Sequence, residues 1–256
     1  MGFAYISVEA AIASTGVRMV VVGEVPSPWS EAAKGIFHVK RIPWAAVRLA
    51  YDNHALKAWA GQRSAPIVVV DDEPPRSGWA DILQLAQRIT PTAPLLPENS
   101  ADRALVLGLA QEVCGENGLG WMRRLQLVDA GLREAGGFHP KVAAYIGKKY
   151  GYSAEAASTA TSRVVQILGM LTERLRSQQA AGSKYYVGKQ LTAVDIYSAT
   201  FMALLRPLAH NVCPMDAVTR QAFEYRDPAT DAALSDVLLG HRDMMYRDHL
   251  ALPLSL

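Results

Sequence analysis

The stretch Gly16-Val17-Arg18-Met19-Val20-Val21-Val22-Gly23-Glu24-Val25-Pro26-Ser27-Pro28-Trp29-Ser30 decides the fold. Its first half is a β-branched, apolar run bounded by glycines, the pattern of a strand buried on both faces at the centre of a sheet. Its second half starts a helix, with Ser27 as cap, Pro28 at the first position and Glu31 in the first turn. Trp44-Ala45-Ala46-Val47-Arg48-Leu49 reads as a second strand, so the stretch opens a β-α-β unit with parallel pairing. Asn53 to Arg63 reads as a polar loop or short helix. Ala65-Pro66-Ile67-Val68-Val69-Val70 is a strand entered through a proline, which suits an edge, a first position or a cis turn. Trp79, Ile82, Leu83, Ala86 and Ile89 recur at helical spacing and close this half of the chain.

The next segment, Pro91-Thr92-Ala93-Pro94-Leu95-Leu96-Pro97, holds three prolines and supports neither a helix nor a central strand, so it is read as the linker. Beyond it the periodicity becomes helical. Val164, Leu168, Leu171 and Leu175 recur at one-turn and two-turn steps, and Leu234, Leu238, His241 and Met245 repeat that spacing. Gly136-Gly137, Gly182 and Pro207 punctuate what is expected to be a bundle of five to seven helices. The expected fold class is therefore α/β followed by all-α. One domain spans 1–92, with an N-terminal extension at 1–16, and a helical domain spans 98–256.

With 256 residues, of which 50% are hydrophobic, the chain can bury a large core. A net charge of +2 from 26 basic and 24 acidic residues gives no field that argues for nucleic acid or an anionic membrane. No apolar run reaches the roughly 18 residues of a spanning helix, and the N-terminus lacks the pattern of a signal peptide, so a cytoplasmic protein is expected. Met1-Gly2 does not open a myristoylation site, because Ile6 stands where the hydroxyl residue is required and Ser7 comes one position late. Cys114 and Cys213 form no C-x-x-C pair and read as reduced, buried thiols. His241 and His249 lack metal-ligand spacing, and His241 falls on an apolar face, so no metal is expected and a structural histidine is. Thr192 and Asp195 form a capping box, with Leu191 stapling to Ile196.

Taken in order, these features resemble the cytosolic glutathione transferase family, and its serine-type members in particular. They are a buried strand, Ser-Pro-Trp at a helix start, Ala65-Pro66 before a strand, the proline linker, a helical half, and Gly188-x-x-Leu-Thr-x-x-Asp-Ile. The match spans about residues 17 to 210. The resemblance implies a thioredoxin-like first domain, a homodimer, and a detoxifying transferase that takes glutathione as co-substrate and joins it to a hydrophobic small molecule. It implies that Pro66 is a cis-proline and that the backbone of Ala65 pairs with the cysteinyl part of glutathione. Trp29, Arg63, Ser77 and Gly78 join Ala65 and Pro66 as implied glutathione-binding positions, with Arg63 meeting the glycine carboxylate. Gly78-Trp79 stand where the family has Glu-Ser, with Ser77 shifted by one position. That departure motivates an alternative, a non-catalytic binding protein on the same fold. A further alternative keeps the thiolate but makes the enzyme a glutathione-dependent lyase, dehalogenase or peroxidase.

The chemistry the family needs is definite. A free thiol has a pKa near 8.5, so a site must stabilise the thiolate. A hydroxyl donor beside the amides of a helix N-terminus does so. Ser27 stands at such a position and is the expected thiolate stabiliser, with Ser30 second. Without the resemblance, Ser27 reads as an ordinary helix cap. Tyr5 would fill the role only if the N-terminal extension folded back. Trp121, Met122 and Tyr145, with Tyr150 and Tyr152, are expected to line the electrophile site, although residues of these types more often serve as core or dimer contacts.

Overall fold

The glycine-bounded run becomes strand β2 (Val17–Val21), and its alternating side chains feed two different apolar layers. Met19, Val21 and Val68 face the helices of one side, whereas Val20, Val47, Ile67 and Val69 face those of the other. The computed structural model describes residues 3–256; the Met1-Gly2 start lies outside them. In chain order the first half is β1 (Tyr5–Ile6), α1 (Val8–Ala13), β2, α2 (Pro28–Val39), β3 (Ala45–Arg48), α3 (His54–Ala60), β4 (Ile67–Val70), β5 (Arg76–Ser77) and α4 (Trp79–Ile89). The sheet order is β1-β3-β2-β4-β5. Strand β3 is parallel to both β1 and β2, while β4 runs antiparallel to β2 and β5 antiparallel to β4. The parallel β-α-β opening read from the sequence is therefore present. Segment 53–63 resolves as the short helix α3, capped by Asn53, whose Oδ1 accepts from the Leu56 amide at 2.8 Å.

The extension before Gly16 adds β1 to the edge of the sheet and packs α1 against α3, with Ala11 fully buried. It lies on the far edge from β5 rather than over a cleft.

The helical half comprises α5 (Ser100–Cys114), α6 (Leu119–Leu132), α7 (Pro140–Lys149), α8 (Ala154–Ala180), α9 (Ala193–Leu205), α10 (Ala217–Phe223), α11 (Pro228–Ala233) and α12 (Asp236–Asp248). Eight helices stand where five to seven are expected. The extra ones are α10 and α11, too short for a periodicity to show, and each is started by an aspartate cap, Asp216 or Asp227. No helix among the described residues is long and apolar enough to cross a membrane.

The proline segment does separate sheet from helices, but it is packed. Leu95 and Leu96 are buried, and the Leu95 carbonyl accepts from the Ala193 amide at 2.8 Å. One apolar core runs across the junction, joining Phe37, Ile82 and Leu83 to Val106, Ile196 and Phe201. Helix α9 sits at its centre, against α2, α5 and α12. The tail after α12 returns to the outer side of α2, where the Lys34 ammonium donates to the Ser255 carbonyl at 2.7 Å. It also pairs with the loop after α9, since the Leu254 amide donates to Val212 at 2.8 Å.

The Thr192–Asp195 box forms at the start of α9 and carries more than a cap. The wholly buried Asp195 accepts from the Thr192 amide and hydroxyl, both at 2.8 Å, and from the Tyr186 amide at 2.9 Å. Its Oδ1 also lies 3.0 Å from His241 Nε2, which ties α12 to α9. His241 is thus a buried structural histidine, packed edge-on against the Tyr186 ring.

Candidate functional site

Two adjoining cavities open where the sheet half meets α5, α6 and α7. The smaller, about 480 Å³, is walled on the sheet side by Ala65, Pro66, Ser77 and Gly78, and on the helical side by Gln111 and Trp121. The larger, about 760 Å³, has Ser27 at one end and Phe138, Tyr145, Val218 and Phe223 around its apolar body. Trp29, Ala65, Arg124 and Tyr150 line both and form the passage between them.

Each wall has a local cause. The Ala65–Pro66 bond is cis, and β4 starts directly after it. Ser77 is held beside Ile67 by the β4–β5 pairing. Gly78 then starts α4 at φ +88°, ψ 145°, a conformation left to glycine, so the helix begins with no capping side chain. The Trp79 ring packs edge-on against Tyr197, whose hydroxyl donates to the Trp79 carbonyl at 3.0 Å. Across the cleft, Trp29 is fixed at three points. Its Nε1 donates to the Cys114 carbonyl at 2.9 Å, its ring meets Phe201 edge-on at 5.0 Å, and α6 approaches it closely at Gly120. A Cβ on Gly120 would come within 2.2 Å of Phe201 and 3.1 Å of Trp29, so only glycine lets α6 close this wall.

The helix start at Ser27 differs from the others. Ser7, Ser153 and Ser235 each accept a backbone N–H at the start of their helices. Ser27 is the N-cap of α2 by position and backbone angles, but its side chain makes no capping hydrogen bond, and it lines the larger cavity instead. Ser30, one turn in, is fully buried, with its hydroxyl 3.4 Å from the Val22 amide, and lines neither cavity.

Of the other positions expected at the site, Trp29, Ala65, Pro66, Ser77, Gly78 and Trp121 line the smaller cavity, and Tyr145 lines the larger. Two do not converge. Arg63 turns its guanidinium to His54 Nδ1, 3.4 Å away, and its carbonyl accepts from the Lys149 ammonium at 2.6 Å. Met122 is buried and lines a groove with Thr159, Arg163 and Gln166 on α8. Tyr5 lies at the sheet edge and lines neither cavity.

Sequence reasoning missed Gln62, Ser64, Gln111, Arg124 and Tyr197, whereas Tyr150, expected beside Trp121, lines both cavities and Tyr152 lines neither. Arg124 had a usable signal, since it follows Trp121 by three residues and so shares its face of α6. Burial pushes the Cys114 thiol and the Tyr197 phenol well above their ordinary values, so both stay protonated at neutral pH.

No family model and no curated protein matches the sequence. Solved structures do match. A glutathione S-transferase domain-containing protein from Marinobacter aquaeolei superposes with a TM-score of 0.63 at 13% identity, over 91% of this chain and 100% of that one. Glutathione transferase Omega 3C from Trametes versicolor gives 0.58 at 15%, over 94% and 85%. A rice glutathione transferase in complex with glutathione gives 0.56 at 17%, over 94% and 93%. A likeness of this extent, joined to a thioredoxin-like sheet and a helical half around one cleft, shows that the chain has the fold of the glutathione S-transferases.

Proposed function

We propose that the chain is a glutathione transferase in which the smaller cavity holds the tripeptide and Ser27 stabilises its thiolate. The observation that carries this reading is the unused hydroxyl of Ser27. It stands at a helix N-terminus, makes no capping bond, and opens into a cavity that meets the smaller one at Trp29 and Ala65. A hydroxyl that donates to a thiolate, together with the positive end of α2, favours the charged form of a thiol whose free pKa is near 8.5. The Ala65 backbone pairs with the cysteinyl part of the tripeptide, and Ser77 with the open start of α4 receives a carboxylate. The sulfur then faces the larger cavity, where it forms a C–S bond to an electrophilic carbon as the leaving group departs with the bonding electrons. The chain works as a homodimer in this reading, which sedimentation at micromolar concentration tests; a 27.8 kDa species alone overturns that part.

One observation favours a second reading. Gly78 offers no side chain at the α4 start, and Trp79 is committed to Tyr197, so the place of the family's Glu-Ser is filled by residues that donate no hydroxyl. A protein that uses the cleft only for binding accounts for that directly. Calorimetric titration with glutathione separates the two, run beside Ser27→Ala and followed by a pH scan of the thiolate ultraviolet absorbance. Binding with a thiol pKa below 8.5 that reverts in Ser27→Ala supports the transferase. Absence of binding at millimolar glutathione overturns it.

A further inference from the structure

Arg123 and Arg124 are neighbours on α6 with opposite surroundings. Arg123 is buried and bonded through both terminal nitrogens, donating to the Tyr225 carbonyl at 2.6 Å and to Gln126 Oε1 at 3.1 Å, with its Nε alone left without a partner. Arg124 makes no hydrogen bond or ion pair with any described residue, and its Nη1 is sealed from solvent without a partner. Three rings surround the guanidinium instead, Tyr150 at 4.2 Å, Trp29 at 4.3 Å and Trp121 at 5.2 Å from their centroids. Among the described arginines that are buried or half-buried, it alone has no hydrogen-bonding partner. Ring faces attract a cation but accept few of its five N–H donors, and a buried donor left unmade costs about 1–3 kcal/mol. A guanidinium that lines a cavity with no hydrogen-bond or ion-pair partner in the protein is a group that a carboxylate can complete.

The larger cavity points the same way. Its walls are mostly apolar, and its charged side chains are Arg48, Arg124, Lys141 and Lys149, with no Asp or Glu among them. Two of those cations are already engaged, Arg48 with Glu24 at 2.8 Å and Lys149 with the Arg63 carbonyl at 2.6 Å. An apolar cavity whose half-buried wall cation lacks a counter-charge suits a molecule with an apolar body and one anionic end.

We propose that the larger cavity takes an amphipathic organic carboxylate, with its apolar body against Phe138, Tyr145 and Phe223 and its carboxylate on the Arg124 guanidinium. The proposal rests on reading that cavity as the second-substrate site of the proposed transferase. It narrows the second substrate from any hydrophobic electrophile to an acid.

The test is calorimetric titration of the full chain with phenylbutyrate and with its uncharged analogue phenylbutanamide, in wild type, Arg124→Gln and Arg124→Lys. Glutathione binding is measured separately on each. The acid is expected to bind at least about tenfold more tightly than the amide in wild type. Arg124→Gln abolishes that preference, and Arg124→Lys keeps part of it. Arg124→Gln is expected to fold, because the guanidinium makes no hydrogen bond or ion pair in the protein and loses only its ring contacts, and a thermal melt checks this. Equal affinity for acid and amide in wild type overturns the proposal, as does a preference that survives Arg124→Gln. Weakened glutathione binding in Arg124→Gln with the acid preference intact also overturns it, since Arg124 then serves the tripeptide. If wild type prefers the acid yet binds no glutathione, the acid site stands and the transferase reading fails. If it binds glutathione but neither probe, the reverse holds.

Discussion

Helices α2 and α9 pack against each other and both begin at a hydroxyl residue, yet their starts are finished in opposite ways. At Thr192 the start is closed from inside the protein, because Asp195 gathers the Thr192 amide and hydroxyl, the Tyr186 amide and His241 Nε2, leaving only the far Nδ1 of His241 without a partner. At Ser27 the hydroxyl answers nothing and opens to a cavity. The same local signal, a hydroxyl before a helix, thus has two outcomes. A start satisfied internally holds the fold, whereas one left open beside a cavity is set up for a ligand to complete.

The comparison breaks most visibly at Asp195. Asp195→Ala leaves two buried backbone donors and His241 without their acceptor, at about 1–3 kcal/mol for each unmade bond. The expected loss is about 3 kcal/mol or more, read as a fall of roughly 6–12 °C in the thermal midpoint. A shift of only a degree or two would mean that the closed start is no more structural than the open one.

Ser27→Ala should do the reverse. With no capping bond to lose, stability is expected to stay within about 0.5 kcal/mol, against the roughly 1 kcal/mol a working cap is worth. Activity with glutathione should fall about 10–100-fold in kcat/KM, the effect of losing one hydrogen bond to a charged group. A melt that drops while the thiol pKa of bound glutathione stays put would return Ser27 to the class of ordinary caps.

Gly78→Ala probes the other open start. The nearest side-chain atom to a Cβ there is Asp81 Oδ2 at 4.0 Å, so space is available and the cost is backbone strain at φ +88°. About 1–2 kcal/mol is expected, seen as a lower denaturation midpoint. A neutral or stabilising outcome would show that the α4 start relaxes easily, and that the glycine is not what keeps it open.

The fold is largely legible in the sequence, the contrast between the two starts only in part, since the sequence shows a cap at Ser27 and not that its hydroxyl is left free. The β2–α2–β3 opening, β4 after Pro66, and α4 follow from runs long enough for a period to register, and the Thr192–Asp195 box is readable because both partners lie within one turn. Strands β1 and β5 have two residues each and exist only through pairing with β3 and β4, so no local pattern announces them. The passage between the cavities was illegible for the same reason. Trp29, Ala65, Arg124 and Tyr150 come from α2, the turn before β4, α6 and the end of α7, and only tertiary packing assembles them. Arg63 and Met122 were drawn toward the site by their neighbours in sequence. Their side chains turn elsewhere because Gln62 and Ser64 take the cavity wall beside Arg63, and because α8 covers the Met122 face of α6.

The smallest expected effect concerns the chain's own thiols, and it sharpens the contrast by removing a rival to Ser27. Cys114 lines the smaller cavity, where a chain-borne thiolate would make a hydroxyl at Ser27 unnecessary. Burial pushes its thiol well above the ordinary range. Cys213 is pushed up to about 11, chiefly by burial, with the Arg220 charge opposing. At about pH 8 a thiol with a pKa near 11 is ionised to roughly one part in a thousand, and the thiolate is the reactive form. Both cysteines should therefore resist a disulfide reagent in the native protein and react fully once it is unfolded in denaturant. Cys114→Ala should leave kcat/KM within about twofold, since only the carbonyl of residue 114, which the substitution keeps, is used by Trp29. Rapid native labelling of Cys114, together with activity lost in step with it, would move the nucleophile from the bound ligand to the chain and leave the open start at Ser27 without its chemical role.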